Sequence, residues 1–238
     1  MEHTGKTWGE NLGGALRVAG ALLTPMLRGR RARWGASEAE LARRYPGDEL
    51  VPEPKWGWTH AVTIRAPAAE VWPWVVQMGQ GRGGFYSYQR LENLVGCDIH
   101  NADRILPEFE DLEAGDGIRL HPDVPPLPVA VVEPGRAIVI HALSDTSSGE
   151  PFQPAEGGAE GPPESYSNMI WTFFLEEQGD GTTRLISRTA YDYSSGLGQS
   201  LMYGPALVGS IGHVMDCKML LGIKARVEAG AGRRGEGE

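Results

Sequence analysis

Cysteine is nearly missing from this chain: Cys97 and Cys217 are the two in 238 residues. They form neither a C-x-x-C pair nor a dense framework, which argues against a disulfide scaffold and for reduced thiols in a cytosol. Long apolar runs are scarce at the N-terminus. The stretch GGALRVAGALLTPML is interrupted by Arg17 and Pro25 and is too short to span a bilayer, and it lacks the basic start and cleavage site of a signal peptide. Positive charge is the minority sign. With 22 Lys and Arg against 31 Asp and Glu, the formal net charge is −9, and such a surface repels phosphates, so nucleic acid is not an expected partner. No H-x-H, H-E-x-x-H or C-x-x-C spacing is present, so no metal and no other cofactor are expected; a G-x-S-x-G nucleophile elbow is missing as well.

What is present begins with an apparent contradiction. GQGRGG, from Gly79 to Gly84, satisfies the G-x-G-x-x-G pattern of a dinucleotide-binding loop, and Asp103 lies about 20 residues on, as that fingerprint asks. Yet the run before it, AAEVWPWVVQM, follows Pro67 with good early-helix residues and carries Pro73, which would delete a ladder bond in a central strand. The glycines are therefore expected to join two helices through a tight turn. Downstream there is no strand and helix alternation but a procession of strands: Gly117 to His121, Leu127 to Glu133, Arg136 to Leu143, Met169 to Glu176 and Thr183 to Tyr191. Gly135 and Gly179 to Gly181 mark hairpin turns, so the sheet is expected to be antiparallel.

The flanks complete the outline. Leu12, Leu16, Ala19, Leu23 and Met26 recur with helical spacing ahead of Arg28, Arg30, Arg31 and Arg33, which suits either docking on the protein's own core or peripheral contact with a membrane. Ser37 and Glu40 form a capping-box pattern. Trp58, His60, Val62 and Ile64 alternate with polar or small residues in a first strand whose one face is buried. A Gly, Pro, Ser and Glu-rich segment, 144–166, reads as a mobile loop and a candidate lid. Leu207, Ile211, Met215, Met219, Ile223 and Val227 form an i, i+4 stripe on a long final helix, and the tail 230–238 reads as disordered.

This order, together with VTIRAPAAEVWPWVVQMGQGRGGFYSYQRLENLVG, EAGDGIRL, WTFFLE and TRLISR, resembles the START-like, or helix-grip, superfamily of polyketide cyclases, aromatases and lipid-transfer domains (SRPBCC), more narrowly an uncharacterised bacterial subgroup. The resemblance covers about Trp56 to Glu228. It implies an α+β fold in which a curved antiparallel sheet grips the C-terminal helix around a cavity, with residues 1–55 as a helical extension and 56–229 as the domain.

The resemblance implies a small apolar ligand, a lipid or polyketide-like metabolite, that is carried or sequestered; the alternative is an aldol-type cyclase or aromatase. Trp171, Phe173, Ile211, Met215 and Met219 are expected cavity walls, Met being well suited to ligands of varied shape. Arg82 is a candidate to hold an enolate or carboxylate, with Tyr86 or Tyr88 donating to a carbonyl. His100 and Asp103 have the spacing of a base and its orienting carboxylate, and His213 and Asp216 repeat it on the last helix. Arg119, His141 and Arg188 lie within strands, so each faces either the cavity or solvent. Wedging of helix on sheet, local capping and surface ion pairs are the competing roles for all of these. Oligomeric state is left open.

Overall fold

The computed structural model describes residues 3–148, 150–152 and 163–235. Helix α1 (His3–Leu23) opens the chain, followed by the short α2 (Arg28–Arg31) and α3 (Glu38–Ala42). The capping box at α3 forms as expected: Ser37 Oγ accepts from Glu40 N, and Glu40 Oε2 accepts from Ser37 N. Strand β1 (Trp56–Ile64) leads to α4 (Ala68–Val76) and α5 (Gln89–Leu94), and then come β2 (Gly117–Ile118), β3 (Leu127–Glu133), β4 (Ala137–Asp145), β5 (Glu150–Pro151), β6 (Tyr166–Glu177) and β7 (Thr183–Tyr193). Helices α6 (Leu197–Tyr203) and α7 (Val208–Gly235) close it. Segment 144–166 is thus partly built into β4, β5 and β6, while its centre, 153–162, lies outside the described residues. The expected tail is helical through Gly235, with 236–238 outside the described residues.

The sheet is antiparallel throughout, in the order β1-β7-β6-β4-β3-β2, with β5 paired to β4. Because β-strand side chains alternate between faces, register decides what α7 meets. Trp58 opposes Thr189, Thr189 opposes Trp171, and Trp171 opposes Ile140, so these four form one row on a single face. The next row on that face is His60, Ser187, Phe173 and Ile138. This is an α+β helix-grip fold, a curved antiparallel sheet held against one long C-terminal helix, and the first row forms part of the wall of its cavity.

The opposite face is not left to solvent. Tyr45 packs with Ala61, Ala137, Phe174 and Ile186, and Val51 packs with Val139, Ile170 and Ala190, so the segment after α3 seals the back of the sheet. Ion pairs Arg184 to Glu40, Arg188 to Asp48 and Arg43 to Glu176 fasten it. Helix α1 lies against α7 and α5, where Ala21, Tyr88 and Val214 meet. Its outer side still exposes Leu12, Leu16 and Leu23.

GQGRGG joins α4 to the Phe85 segment as a reverse turn. Gly79 and Gly84 exchange two backbone hydrogen bonds of 3.1 Å, and Gly79, Gly81 and Gly84 have φ of 132°, 73° and 75°, values that favour glycine. The element directly before it is helix α4, not a strand. A second close approach lies on α7, where a Cβ at Gly222 would stand 2.2 Å from the Tyr86 carbonyl oxygen. Gly222→Ala is expected to cost about 2–4 kcal/mol, since backbone must move to admit the methyl group. Gly230→Ala, on the same helix with nothing within 4 Å, should be neutral or stabilising by up to about 1 kcal/mol. Urea unfolding of both variants checks the contrast.

By length and composition the segment Leu197–Gly230 is apolar enough to cross a membrane. Here its apolar side chains fill the grip instead: Met219, Leu220, Ile223 and Val227 are buried. The expected stripe is buried only in its later half, for Leu207 is 37% and Ile211 39% exposed. Those two residues stand where helix and sheet part.

Candidate functional site: a cavity between the sheet and the last helix

That parting is a cavity of about 510 Å³. Its inner end is walled by Trp58, Phe85, Ile99 and Met219, and its rim by Leu120, Met202, Leu207 and Ile211, all of them partly exposed apolar residues. Trp171 and Met215 form the sides, so four expected wall residues, Trp171, Ile211, Met215 and Met219, come together here. Phe173 does not reach it. Fully buried one row deeper, it supports Trp171 from below at a ring separation of 4.8 Å.

Three lining residues carry an unusual burden. Trp58 Nε1, Glu92 Oε2 and Thr189 Oγ1 are buried and, among the described residues, have no hydrogen-bond partner. Orphaned polar atoms are costly and uncommon in a core, and here they cluster round one hollow. Glu92 projects from α5, and burial pushes its carboxyl up to about 7, with no cation among the described residues that line the cavity to offset it.

Asp216 also lines the cavity, on α7, but it is fully engaged. Its Oδ2 accepts from His60 Nδ1 at 2.5 Å and its Oδ1 accepts from the Ser187 hydroxyl at 2.7 Å, which in turn accepts from Trp171 Nε1 at 3.1 Å. This chain of bonds ties β1, β7 and β6 to α7 beneath the cavity floor, with the His60 ring and the Asp216 carboxylate out of solvent. The expected i, i+3 pairing of His213 with Asp216 therefore gives way to a partner across the core.

The remaining candidates are placed elsewhere. Arg82 donates to the Val76 and Phe109 carbonyls and stacks on Phe109, holding the glycine turn, and burial lowers its pKa. The Tyr86 hydroxyl accepts from Gln77 and donates to the Trp74 carbonyl, wedging α4 in place; burial holds its pKa well above the phenol range. Tyr88 is buried between α1 and α7, accepting from Arg17. His100 is exposed and meets Asp98 at 3.1 Å rather than Asp103, which is also exposed. Arg119 donates to the Pro122 and Val124 carbonyls in a surface turn. His141 and Arg188 fall on the face turned away from α7, bonded to Asn168 and Asp48. The reason is parity: each sits one residue out of step with the inward row of its strand.

Sequence reading did not single out Trp58, Glu92 or Thr189 as site residues. The alternation in β1 did mark Trp58 and His60 as inward, and an inward histidine on an apolar face was the available signal. Glu92 sits beside exposed residues in a six-residue helix, and nothing local distinguishes it.

No family model matches the chain, and no curated protein matches it. Solved structures do align. A conserved protein from Geobacillus kaustophilus is 11% identical, with 72% of this chain and 95% of that one covered, at a TM-score of 0.37. The Zhui aromatase/cyclase from Streptomyces sp. R1128 is 12% identical over 73% and 93% of the two chains, at 0.30. A Polyketide_cyc-like protein from Corynebacterium glutamicum is 15% identical over 73% and 87%, at 0.29.

Proposed function

We propose that this protein binds one small, largely apolar molecule, a lipid or polyketide-like metabolite, between its sheet and α7, as a carrier or sequestering protein. The observation that carries the reading is the cavity itself: about 510 Å³ walled by Trp, Phe, Leu, Ile and Met side chains. That volume falls in the range of small-molecule sites, and burying apolar ligand surface there supplies roughly 25 cal/mol per Å². Met202, Met215 and Met219 line it, and their flexible thioethers let the wall follow the ligand's shape. A single carbonyl or hydroxyl group on the ligand, met by a rotamer change at Thr189 or Glu92, would relieve a buried polar atom that has no partner.

A carrier purified under native conditions should retain cargo. Native mass spectrometry of the full chain is expected to show a bound species of defined mass, released on denaturation, and the same species should raise the melting temperature when added back. Absence of bound mass together with no thermal shift across a panel of fatty acids, sterols and aromatic polyketides would sink the proposal.

A second reading, an enzyme of the cyclase type, draws on Glu92. A carboxyl that titrates near neutrality in an apolar wall can exchange a proton with a bound carbonyl compound. Turnover abolished by Glu92→Gln with retained binding would favour it.

A further inference from the structure

His60, His213 and Cys217 come from β1 and two successive turns of α7, yet their ligand atoms lie within 4.8 Å of one another. His213 Nδ1 is 3.3 Å from His60 Nε2 and 3.5 Å from Cys217 Sγ. On a tetrahedron with metal–nitrogen bonds of about 2.0–2.1 Å and a metal–sulfur bond of about 2.3 Å, such atoms stand roughly 3.3–3.4 Å and about 3.6 Å apart. Both separations that His213 makes match those coordination requires, and the third, between His60 and Cys217, is within 4.8 Å.

The surroundings agree with this geometry. Asp216 lies against His60 Nδ1, the usual arrangement of a carboxylate behind a metal-bound imidazole. The other ring nitrogen, Nε2, is directed at the Arg31 carbonyl oxygen at 3.0 Å and at His213. Electron-rich atoms this close, gathered on the buried His60 ring, need a proton or a cation among them. Two smaller cavities flank the cluster. One, of about 200 Å³, is bordered by Arg31, His60 and His213; the other, of about 500 Å³, by Trp34, His213 and Cys217. Together they give an ion a path from solvent.

We propose that His60 Nε2, His213 Nδ1 and Cys217 Sγ bind a divalent d-block cation of the zinc class, with the Arg31 carbonyl nearest the fourth position. Mixed imidazole and thiolate ligation selects borderline-soft ions over magnesium or calcium. On binding, Cys217 releases its thiol proton to solvent and gives the sulfur lone pair to the ion. No electron is transferred. The consequence is mechanical: one ion would clamp β1, α7 and the end of α2 at Arg31, independently of what occupies the apolar cavity.

The test uses the full chain after chelator treatment, with Co²⁺ and Zn²⁺ as probes. One Co²⁺ per chain is expected, with intense visible bands of tetrahedral cobalt and a thiolate-to-cobalt charge-transfer band. Cys217→Ser should remove the charge-transfer band, whereas Cys97→Ser should leave it unchanged. Zn²⁺ at about 100 times its dissociation constant should raise the melting temperature by roughly 5–10 °C. Asp216→Asn should weaken Zn²⁺ binding by about 10–100-fold without moving the cobalt band positions far. Failure to take up stoichiometric metal would overturn the proposal by showing that protons alone satisfy the cluster. So would a charge-transfer band that survives Cys217→Ser.

Discussion

Glu92→Gln is expected to stabilise the protein at pH 8 and to leave its stability at pH 4 nearly unchanged. In the folded chain the carboxyl titrates near 7 rather than at its usual 4.5, because its place in the apolar wall disfavours charge. Between those values the native state holds a proton that the unfolded state has lost. Stability therefore falls as pH rises from about 4.5 to about 7, and the whole cost is in place above 7. Two and a half units at about 1.4 kcal/mol each put that cost on the order of 2–4 kcal/mol. Glutamine keeps the shape and removes the ionisation, so the gain at pH 8 should approach this figure, or roughly 4–12 °C in melting temperature. Urea unfolding at pH 4, 6 and 8 reads it directly. An equal effect of the substitution at all three values would show that Glu92 is solvated in the native protein. The same side chain should also couple ligand to protons. An apolar guest deepens the burial of Glu92 and so disfavours its charged form further, and apparent affinity should weaken above pH 7 in the wild type and stay level in Glu92→Gln.

The second large effect is expected at the rim. Ile211→Trp places an indole in the mouth of the cavity from a position that is 39% exposed, where the fold has room to accept it. Binding of any cavity ligand should fall by at least about 100-fold, while stability changes by about 1 kcal/mol or less. Leu221→Trp is the control. It lies on the same helix, similarly exposed, but away from the cavity lining, and should leave binding intact. Equal affinity for fluorescent fatty-acid and polyketide probes in wild type and Ile211→Trp would mean that ligands do not enter here.

Some of this was legible in the residues themselves. Period-two alternation in Trp58 to Ile64, the turn glycines between strands, and the four-residue stripe from Met215 to Val227 are local consequences of side-chain geometry, and they settled an antiparallel sheet held against a helix. Pro67 and Pro73 likewise settled that GQGRGG follows a helix. The sequence could not fix parity for His141 and Arg188, because a strand's register against its neighbours depends on partners tens of residues away. Nor could it show that α3 and the segment after it cover the back of the sheet, since the arginines and acids that fasten them look like any solvated charges until paired.

The chemistry divides along the same line. By itself the sequence determined the main strands and helices, their order and the apolar character of the strands and last helix, because those follow from neighbours along the chain. Only the tertiary structure decided that helix and sheet diverge at Ile211 to leave a hollow, that Glu92 is stranded in its wall, and that His60 meets Asp216 and His213. Each of these is a contact across about 150 residues or a gap between packed layers, and both arise only when the whole core closes.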